Sequence, residues 1–510
     1  MWQDVAITIT VFLPLLGAGI ITLVPKSREE AAKPIALVVS IVGFALALGI
    51  LAGYDWDARG LQYTVDVPWI NAIGARYHVG IDGISMPLFT LSYLLTFLCS
   101  VYAFHHIEEP GKPKAFLALM LLLQTGMAGT FIAFDLILFF VFWELVLVPM
   151  YFMIGVWGGP RREYAAVKFF LYTLFGSVFM LVAFLALYFT SEPNTFDMLA
   201  LAQQGEAGVF TATFQRLAFL GIFLGFAIKV PMWPFHTWLP DAHTEAPTIG
   251  SVLLAGILLK MGTYGFVRIA LPILPEGAMA FAPVIAVLAV IAIIYGALCC
   301  LAQTDLKRLI AFSSVGHMGF VMLGIATLTP VGINAAIFGM VAHGVITGML
   351  FFVVGSVKDR YHTRAIADIG GGLFQTMPRM GAIFTFVAIA SLGLPGLAGF
   401  PGEFAALLAA FQPAAGLVEA GHLTLYRVLM VLGAVGTVLT AGYFLWMMQR
   451  VNMGVAPQRW KDAGLADVSV IEWGTWLPLL LMTFFLGVLP GLVWGITTAD
   501  VDALYSVFGG

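Results

Sequence analysis

Runs of about 20 apolar residues recur from one end of this chain to the other, and each is long enough to cross the hydrocarbon core of a bilayer. Hydrophobic residues occupy 61% of the 510 positions, and charged residues only 10%. We therefore predict an all-α polytopic membrane protein with about fourteen transmembrane helices. The predicted spans lie near 5–24, 35–53, 84–107, 114–132, 134–157, 163–189, 215–240, 247–271, 281–302, 306–325, 331–357, 380–411, 423–450 and 471–496.

The basic residues between the predicted spans fall mostly on one side of the membrane. If the N-terminus faces out, about sixteen Lys and Arg residues lie in loops of the inner side, and about four, including Arg59, lie in loops of the outer side. Basic loops stay preferentially on the cytoplasmic side, so this asymmetry supports the segmentation and the orientation. The formal net charge of -4 is too small to indicate a nucleic-acid partner.

The sequence contains no recognisable cofactor motif. It has no phosphate-binding P-loop and no complete dinucleotide fingerprint, and the glycines at 370–372 are typical of a hinge in a loop. The three cysteines lie in apolar segments at no metal-ligand spacing. His105 and His106 are adjacent, and adjacent residues cannot face one haem from both sides of a helix. We therefore expect no cofactor-binding and no metal-binding residues in this chain.

Two of the predicted spans are long and interrupted. The seventh breaks at Lys229-Val230-Pro231, and the twelfth breaks at Gly393-Leu394-Pro395 with Glu403 following. The two broken spans are five helices apart. Because five is an odd number, two successive five-helix units enter the membrane from opposite sides, as in inverted-repeat transporters. The alternative is that these prolines merely kink packed helices. The predicted organisation is N-terminal helices 1–3 at 1–113, two inverted five-helix repeats at 114–271 and 281–450, and a C-terminal helix at 451–510.

Several ionisable side chains lie inside the predicted spans, where a charge is costly and usually functional. Lys168 and Arg268 lie near span ends, and we expect them to extend toward the interface. For the histidines a packing role is the alternative, and His317 in particular has Ser313 one turn back as a local partner. The candidate proton-transfer residues are Glu144, Lys229, Lys260, His317, His343 and Glu403.

Glu144 and Lys229 have the chemistry of a gate for protons. Burial penalises the charged form of a carboxyl group and of an ammonium group, so both can exchange protons near neutral pH. A carboxylate close to Lys229 holds the lysine charged, whereas separation of the pair favours proton release. Lysine suits this role better than arginine, which keeps its proton under almost any protein condition. The distance between the two side chains is therefore predicted to control transfer.

Three long stretches carry a more specific signature. They are KVPMWPFHTWLPDAHTEAPTIGSVLLAG from Lys229, FWELVLVPMYFMIGVWG around Glu144, and GLPGLAGFPGEF ending beside Glu403. Together they resemble the antiporter-like proton-pumping subunits of respiratory complex I and the Mrp cation/proton antiporters, and the resemblance covers essentially the whole chain. Glu403 is similar to the acidic residue of the M type, the equivalent of mitochondrial subunit 4, where the L and N types carry lysine. The chain is also too short for the lateral helix of the L type.

The resemblance implies a role for each matching residue. Glu144 and Lys229 resemble the gating pair, Lys260 the central relay, His317 a link across the bundle, and Glu403 the terminus of the outer channel. His343 is similar to a further residue of the family's polar axis.

The resemblance also implies an energy source outside this chain. NADH, FMN, iron–sulfur clusters and quinone are expected in partner subunits of NADH:quinone oxidoreductase, in an energy-transducing membrane such as the bacterial plasma membrane. The expected partners are the other complex I subunits, especially the neighbouring L and N subunits, together with membrane lipids. An Mrp-type antiporter subunit is the first alternative, and a structural membrane module is the second.

Four further polar residues have two interpretations each. Asp135 is either an electrostatic contact to a neighbouring subunit or a helix N-cap, and Asp82 is either a cap of the third helix, as we expect, or a functional site. His236 and His243 flank the broken seventh span, and they either line an inner access route or satisfy exposed backbone groups.

Overall fold

The computed structural model describes residues 2–56 and 60–508, so Arg59 of the charge count lies outside the described residues. In those two ranges, 12 helices are long and apolar enough to cross a membrane, and further apolar helices of 10–17 residues accompany them. The expected all-α, multi-pass membrane architecture is confirmed.

In the N-terminal half, the described residues between 2 and 273 form thirteen α-helices and one β-hairpin. The elements are α1 (Trp2–Leu23), α2 (Ala32–Ala52), β1 (Gln62–Ile70), β2 (Ala75–Ile81), α3 (Met86–Tyr102), α4 (Pro113–Ile132), α5 (Leu136–Leu145), α6 (Leu147–Trp157), α7 (Arg162–Thr190), α8 (Met198–Glu206), α9 (Ala212–Lys229), α10 (Trp238–Glu245), α11 (Thr248–Leu253), α12 (Leu259–Gly265) and α13 (Leu271–Ile273).

The C-terminal half is helical from residue 275 onward, with short helices in its loops. The elements are α14 (Pro275–Leu301), α15 (Leu306–Ala326), α16 (Pro330–Tyr361), α17 (Ile366–Ile369), α18 (Leu373–Thr376), α19 (Pro378–Ser391), α20 (Gly399–Phe411), α21 (Ala415–Glu419), α22 (Leu423–Val451), α23 (Gln458–Lys461), α24 (Val470–Val488) and α25 (Gly491–Tyr505).

Both predicted helix breaks are confirmed. The chain leaves the helical conformation between α9 and α10, directly after Lys229, and again between α19 and α20. Gly393 and Gly396 in the second break have φ angles of +86° and +92°, which side chains with a Cβ rarely adopt. The glycines are therefore required by the backbone path, and the breaks place Lys229 and Glu403 beside irregular backbone in the membrane interior.

One expected span stays continuous in the structure and another is divided. Residues Leu136–Trp157 form one apolar span, because Val146 between α5 and α6 keeps helical φ and ψ angles of -73° and -22°. Pro149 only removes the N–H that would bond to the carbonyl of Leu145. The span expected near 471–496 is divided between α24 and α25, because Pro490 disfavours a helical conformation of Leu489.

The outer polar stretch before α3 forms an antiparallel hairpin that the sequence did not predict. Strands β1 and β2 pair with Asp66 opposite His78, and Val79 forms a bridge with Ala133. Asp135 Oδ1 accepts hydrogen bonds from the N–H groups of Ile137 and Leu138 at 2.9 and 3.0 Å, so the N-cap interpretation is correct. Its other oxygen accepts a hydrogen bond from the Arg76 N–H at 3.0 Å and so ties the hairpin to α5.

The most buried spans lie at the centre of the bundle. The most apolar 18-residue window within Thr248–Ile273 is 100% buried, and the corresponding windows in α15 and α16 are each 94% buried. Polar groups in these three spans therefore face protein and not lipid, and Lys260, His317 and His343 all belong to them.

Candidate functional site

Lys260 lies between two π-helical turns, Leu254–Leu258 and Phe266–Ala270. A π turn widens a helix and alters which carbonyl oxygens are bonded within it, and such turns often occur at functional sites. The ammonium of Lys260 donates a hydrogen bond to the carbonyl oxygen of Ala255 and lies 2.6 Å from Nδ1 of His343. The local distortion thus helps to direct the lysine toward α16.

His343 and His317 face one another across a small cavity. Their ring centroids are 5.8 Å apart, and the two ring planes are inclined at 61°. Both rings line a cavity of about 30 Å³, which has room for about two water molecules. His343 Nε2 has no hydrogen-bond partner in the protein. The two imidazoles are therefore within reach of one another through one water molecule.

His317 continues the row toward α20. Its Nδ1 lies 2.8 Å from Oε1 of Glu403, and its Nε2 lies 3.1 Å from the hydroxyl of Ser391. Ser313, the local partner considered from the sequence, instead donates its hydroxyl hydrogen to the carbonyl of Ile310. The ring of His317 is thus held by two residues from the flanks of the second helix break.

Glu144 and Lys229 are brought into one region without forming an ion pair. The Lys229 Nζ lies 5.0 Å from the centroid of a Trp143 ring, and neither Nζ nor Glu144 Oε1 has a hydrogen-bond partner in the protein. Trp143 is itself fixed by its hydrogen bond to Ser177 at 2.9 Å. Lys229 is 1% exposed, so its ammonium is a buried cation that contacts an aromatic face and has no direct hydrogen bond.

A close approach between helices brings the Lys260 segment against α9. A Cβ added to Gly262 would lie 2.9 Å from the carbonyl oxygen of Phe226 and from a methyl of Val230. Only glycine fits there without displacing the backbone, so α9 and α12 are in direct contact close to Lys229 and Lys260. The gating candidates and the central lysine therefore occupy adjoining helices.

His236 and His243 are both buried beyond the first break. His236 Nδ1 and both ring nitrogens of His243 have no hydrogen-bond partner in the protein, so the ring of His243 does not satisfy exposed backbone. His243 stacks on Phe351 with ring centroids 4.6 Å apart and interacts electrostatically with Lys260 and Lys307. It therefore extends the polar row from Lys260 toward the inner side.

Arg268 does not extend toward the interface as expected. It is 5% exposed, and its guanidinium lies 2.5 Å from Oδ2 of Asp82. Asp82 also caps the turn before α3, accepting hydrogen bonds from the N–H groups of Ile84 and Ser85. A buried partner on another helix outweighs the tendency of arginine to reach water.

Lys168 is likewise half-buried and paired with a carboxylate. Its Nζ donates a hydrogen bond to Oδ2 of Asp241 at 2.7 Å. Sequence analysis did not single out Asp241, because this partner of Lys168 lies 73 positions away along the chain. Ser391 was also missed, because a serine in an apolar helix is not distinctive until its partner is known.

No group of three or more His, Cys, Asp or Glu side chains in the described ranges is arranged to hold a metal ion. The arrangement is instead a row of buried ionisable side chains. From the inner side toward α20 it contains His243, Lys260, His343, His317 and Glu403, with Glu144 and Lys229 on the adjoining helices.

Known proteins share the sequence and the fold of this chain. Residues 133–441 match the profile of the family described as NADH:quinone oxidoreductase/Mrp antiporter, TM. NADH-quinone oxidoreductase subunit M of Rhodobacter capsulatus is 42% identical over 502 residues, covering 96% of this chain and 94% of that protein.

Two solved structures have the same fold. A chain of respiratory complex I from Thermus thermophilus with bound NADH superposes with a TM-score of 0.87 at 30% identity, covering 99% of this chain and 100% of that one. A chain of the Mrp complex from a Dietzia species superposes with a TM-score of 0.85 at 22% identity, covering 99% of this chain and 98% of that one.

Proposed function

Because this chain belongs to the NADH:quinone oxidoreductase/Mrp antiporter transmembrane family, we propose that it is the M-type proton-translocating membrane subunit of an NADH:quinone oxidoreductase. It is a multi-pass protein of an energy-transducing membrane, and it acts as part of the enzyme complex without a redox site of its own. The observation that carries the proposal is the buried contact between Lys260 and His343, which begins a row ending at Glu403.

Each group in the row accepts and releases protons. A charged lysine only donates hydrogen bonds, so Nδ1 of His343 accepts from Lys260 and the ring hydrogen then lies on Nε2. Uptake of a proton at Nδ1 permits release from Nε2 toward the cavity. The Ser391 hydroxyl takes up this proton from the cavity and gives its own hydrogen to Nε2 of His317, and His317 then releases a proton from Nδ1 to Glu403.

Glu144 and Lys229 act as the gate. With the carboxylate in direct contact, Lys229 keeps its proton; in this structure the ammonium forms no direct ion pair with Glu144 and lies over the Trp143 ring. The cost of an unpaired buried charge then favours proton transfer to the neighbouring Lys260 segment. A conformational or electrostatic change that alters the Glu144–Lys229 separation therefore drives the row.

The energy source lies in other subunits. NADH, FMN, iron–sulfur clusters and quinone belong to those subunits, and the L- and N-type antiporter-like subunits are the neighbours of this chain in the membrane, together with lipids. Two inverted five-helix repeats at 114–271 and 281–450 form the transport unit, flanked by helices at 1–113 and 451–510. Lys229 then lies directly before the break in the first repeat, and Glu403 lies in the first turns after the break in the second.

An Mrp-type cation/proton antiporter subunit is the second candidate. The likeness to the Dietzia chain, at 22% identity, concerns the fold alone. Glu403 and the whole-length similarity to M subunits favour the first candidate over this one.

The test uses the assembled complex in proteoliposomes. Lys229→Ala and Glu144→Ala are expected to abolish proton pumping and coupled quinone reduction, because each removes one half of the gate. Lys461→Ala, at an exposed lysine of the inner surface, is the matched control and is expected to leave pumping unchanged. Pumping that survives both substitutions would leave only a structural role for the buried residues.

A sodium dependence would separate the two transport candidates. Proton pumping by the first candidate is expected to be the same when potassium replaces sodium in the medium. Transport that requires sodium or lithium would favour the antiporter candidate.

A further inference from the structure

Asp241 lies at the centre of a cluster of basic side chains on the inner side of the bundle. Its carboxylate is 2.7 Å from Lys168 Nζ, 3.5 Å from an Arg161 nitrogen and 3.8 Å from an Arg308 nitrogen. We call these four residues the Asp241 cluster. Lys168 belongs to α7, Arg161 directly precedes α7, and Arg308 belongs to α15. The cluster therefore joins α10 to helices on both sides of it.

The Lys168–Asp241 pair is the strongest contact of the cluster. The two side chains are 22% and 11% exposed, whereas the Arg161 and Arg308 side chains are 57% and 39% exposed. Exposed ion pairs at longer distances contribute little to stability, but a short pair shielded from water contributes more. The position of α10 relative to α7 is thus set mainly by Lys168.

A second contact lies one residue along α7. The ring of Phe169 packs on the ring of Trp238 with centroids 5.4 Å apart, and Trp238 is fully buried. Trp238 lies three residues before Asp241 and so on the same face of α10. The Lys168–Phe169 dipeptide therefore holds one face of α10 by a charge and by an aromatic contact.

Trp238 connects that face to the gate. Its indole N–H donates a hydrogen bond at 2.8 Å to the carbonyl oxygen of Ile228, which is in the peptide bond that precedes Lys229. The helix break leaves carbonyl oxygens near the end of α9 without helical partners, and this bond satisfies one of them. A displacement of α10 is therefore transmitted to the backbone at Lys229.

The whole of α10 is buried, and its far end is also attached. Every residue from Trp238 to Glu245 is buried, and a Glu245 carboxylate oxygen accepts a hydrogen bond from the Arg161 N–H at 3.0 Å. A helix as short as α10 has too few internal hydrogen bonds to be stable by itself. Its position depends on these side-chain contacts.

We propose that Asp241 is a positioning residue for proton transfer: through Lys168 and Trp238 it fixes α10 and thereby the placement of Lys229 relative to Glu144. The proposal rests on the proposed function, because it assigns Asp241 a role in placing the gate. Asp241 itself exchanges no proton with the row.

The experiment compares Asp241→Asn with Glu163→Gln in the assembled complex. Both changes remove one negative charge at the inner end of the same region, but Glu163 is exposed and forms no ion pair in the described part of the chain. Asp241→Asn is expected to lower kcat for coupled quinone reduction and pumping about tenfold, because small displacements of a reacting group cost large factors in rate. The KM values for NADH and quinone are expected to stay unchanged, and so is the turnover of Glu163→Gln.

Turnover is normalised to assembled enzyme by NADH oxidation with an artificial acceptor, so that loss of complex is not mistaken for loss of positioning. Lys168→Gln removes the same ion pair from the other side and is expected to lower kcat by a similar factor. The two losses are expected not to add in the double variant, because both remove one interaction. Asp241→Glu keeps the charge and is expected to retain turnover within about twofold.

Three outcomes would overturn the proposal: normal turnover of Asp241→Asn, additive losses in the double variant, or a loss fully explained by fewer assembled complexes. Lys229→Ala is measured in parallel to separate this proposal from the proposed function. If Lys229→Ala abolishes pumping while Asp241→Asn does not reduce it, only the positioning role fails. If Lys229→Ala pumps normally, the proposed function itself fails.

Discussion

Lys260 Nζ lies 2.6 Å from Nδ1 of His343, although the two residues are 83 positions apart in the chain. Both side chains are buried, at 0% and 5% exposure. A lysine and a histidine in contact have no charge attraction to offset their burial, so the pair is costly when both are protonated. The arrangement therefore favours one shared proton, which suits a relay.

Replacing His343 tests that relay. His343→Gln leaves Lys260 a hydrogen-bond acceptor, but an amide does not take up and release protons. Pumping by the assembled complex in proteoliposomes is expected to fall about tenfold or more, in line with the usual effect of removing an acid–base group. His422→Gln, at a half-buried histidine outside the row, is expected to pump normally. Full pumping by His343→Gln would exclude His343 from the route.

Glu403 is predicted to need its ionisable carboxyl group. Glu403→Gln keeps the size of the side chain and can still bond His317, but it has no proton to exchange. Coupled quinone reduction is expected to fall about tenfold, and Glu403→Asp is expected to retain more activity than Glu403→Gln. Glu419→Gln removes an exposed carboxylate of the same half of the chain and serves as the control. Equal activities of the Gln and Asp variants at position 403 would contradict a proton-carrying role.

Ser391 is predicted to orient the ring of His317. Ser391→Ala removes the hydrogen bond at Nε2 and is expected to lower coupled turnover about threefold, the effect of one neutral hydrogen bond. Ser314→Ala is the matched control, because this buried serine bonds only a carbonyl of its own helix. Kinetic measurement of both variants decides the matter, and equal effects would mean that Ser391 contributes only to packing.

The Arg268–Asp82 pair is predicted to stabilise the outer side of the bundle and to have no part in proton transfer. Arg268→Gln leaves the Asp82 carboxylate buried without its partner, which typically costs about 3 kcal/mol or more. Thermal unfolding of the purified complex is expected to shift to lower temperature, and the double variant with Asp82→Asn is expected to recover part of the loss.

Arg427→Gln, at an exposed arginine of the outer side, provides the baseline for that measurement. The remaining assembled Arg268→Gln complex is expected to pump at the normal rate per enzyme. A specific loss of pumping at normal stability would show that the pair belongs to the transport route.

The hairpin and the divided last span show where local pattern was insufficient. β1 and β2 contain alternating polar and apolar residues in a short outer segment, and their pairing is supported by Ala133 and Asp135 in the connection between α4 and α5. Pro149 and Pro490 were visible in the sequence, but a proline in a membrane helix either bends or ends it depending on the surrounding contacts.

Arg268 and Lys168 show that a position near the end of a span does not decide whether a basic side chain extends to the membrane interface. Each was expected to reach the interface, and each is instead held by an aspartate, Asp82 or Asp241, that precedes it or follows it by many residues. A basic side chain extends toward the interface only when no carboxylate lies closer to it than the water does.

The sequence by itself determined the membrane class, the two helix breaks and the set of buried ionisable residues. These features follow from local properties: the length of apolar runs, the positions of proline and glycine, and the cost of a charge in a bilayer. Local properties can be read directly from the sequence. Only the tertiary structure decided that Lys260 meets His343, that His317 meets Glu403, and that Glu144 and Lys229 stand apart. Those distances depend on helix packing and π-helical turns, where residues far apart in the chain share one site, and no linear pattern specifies that geometry.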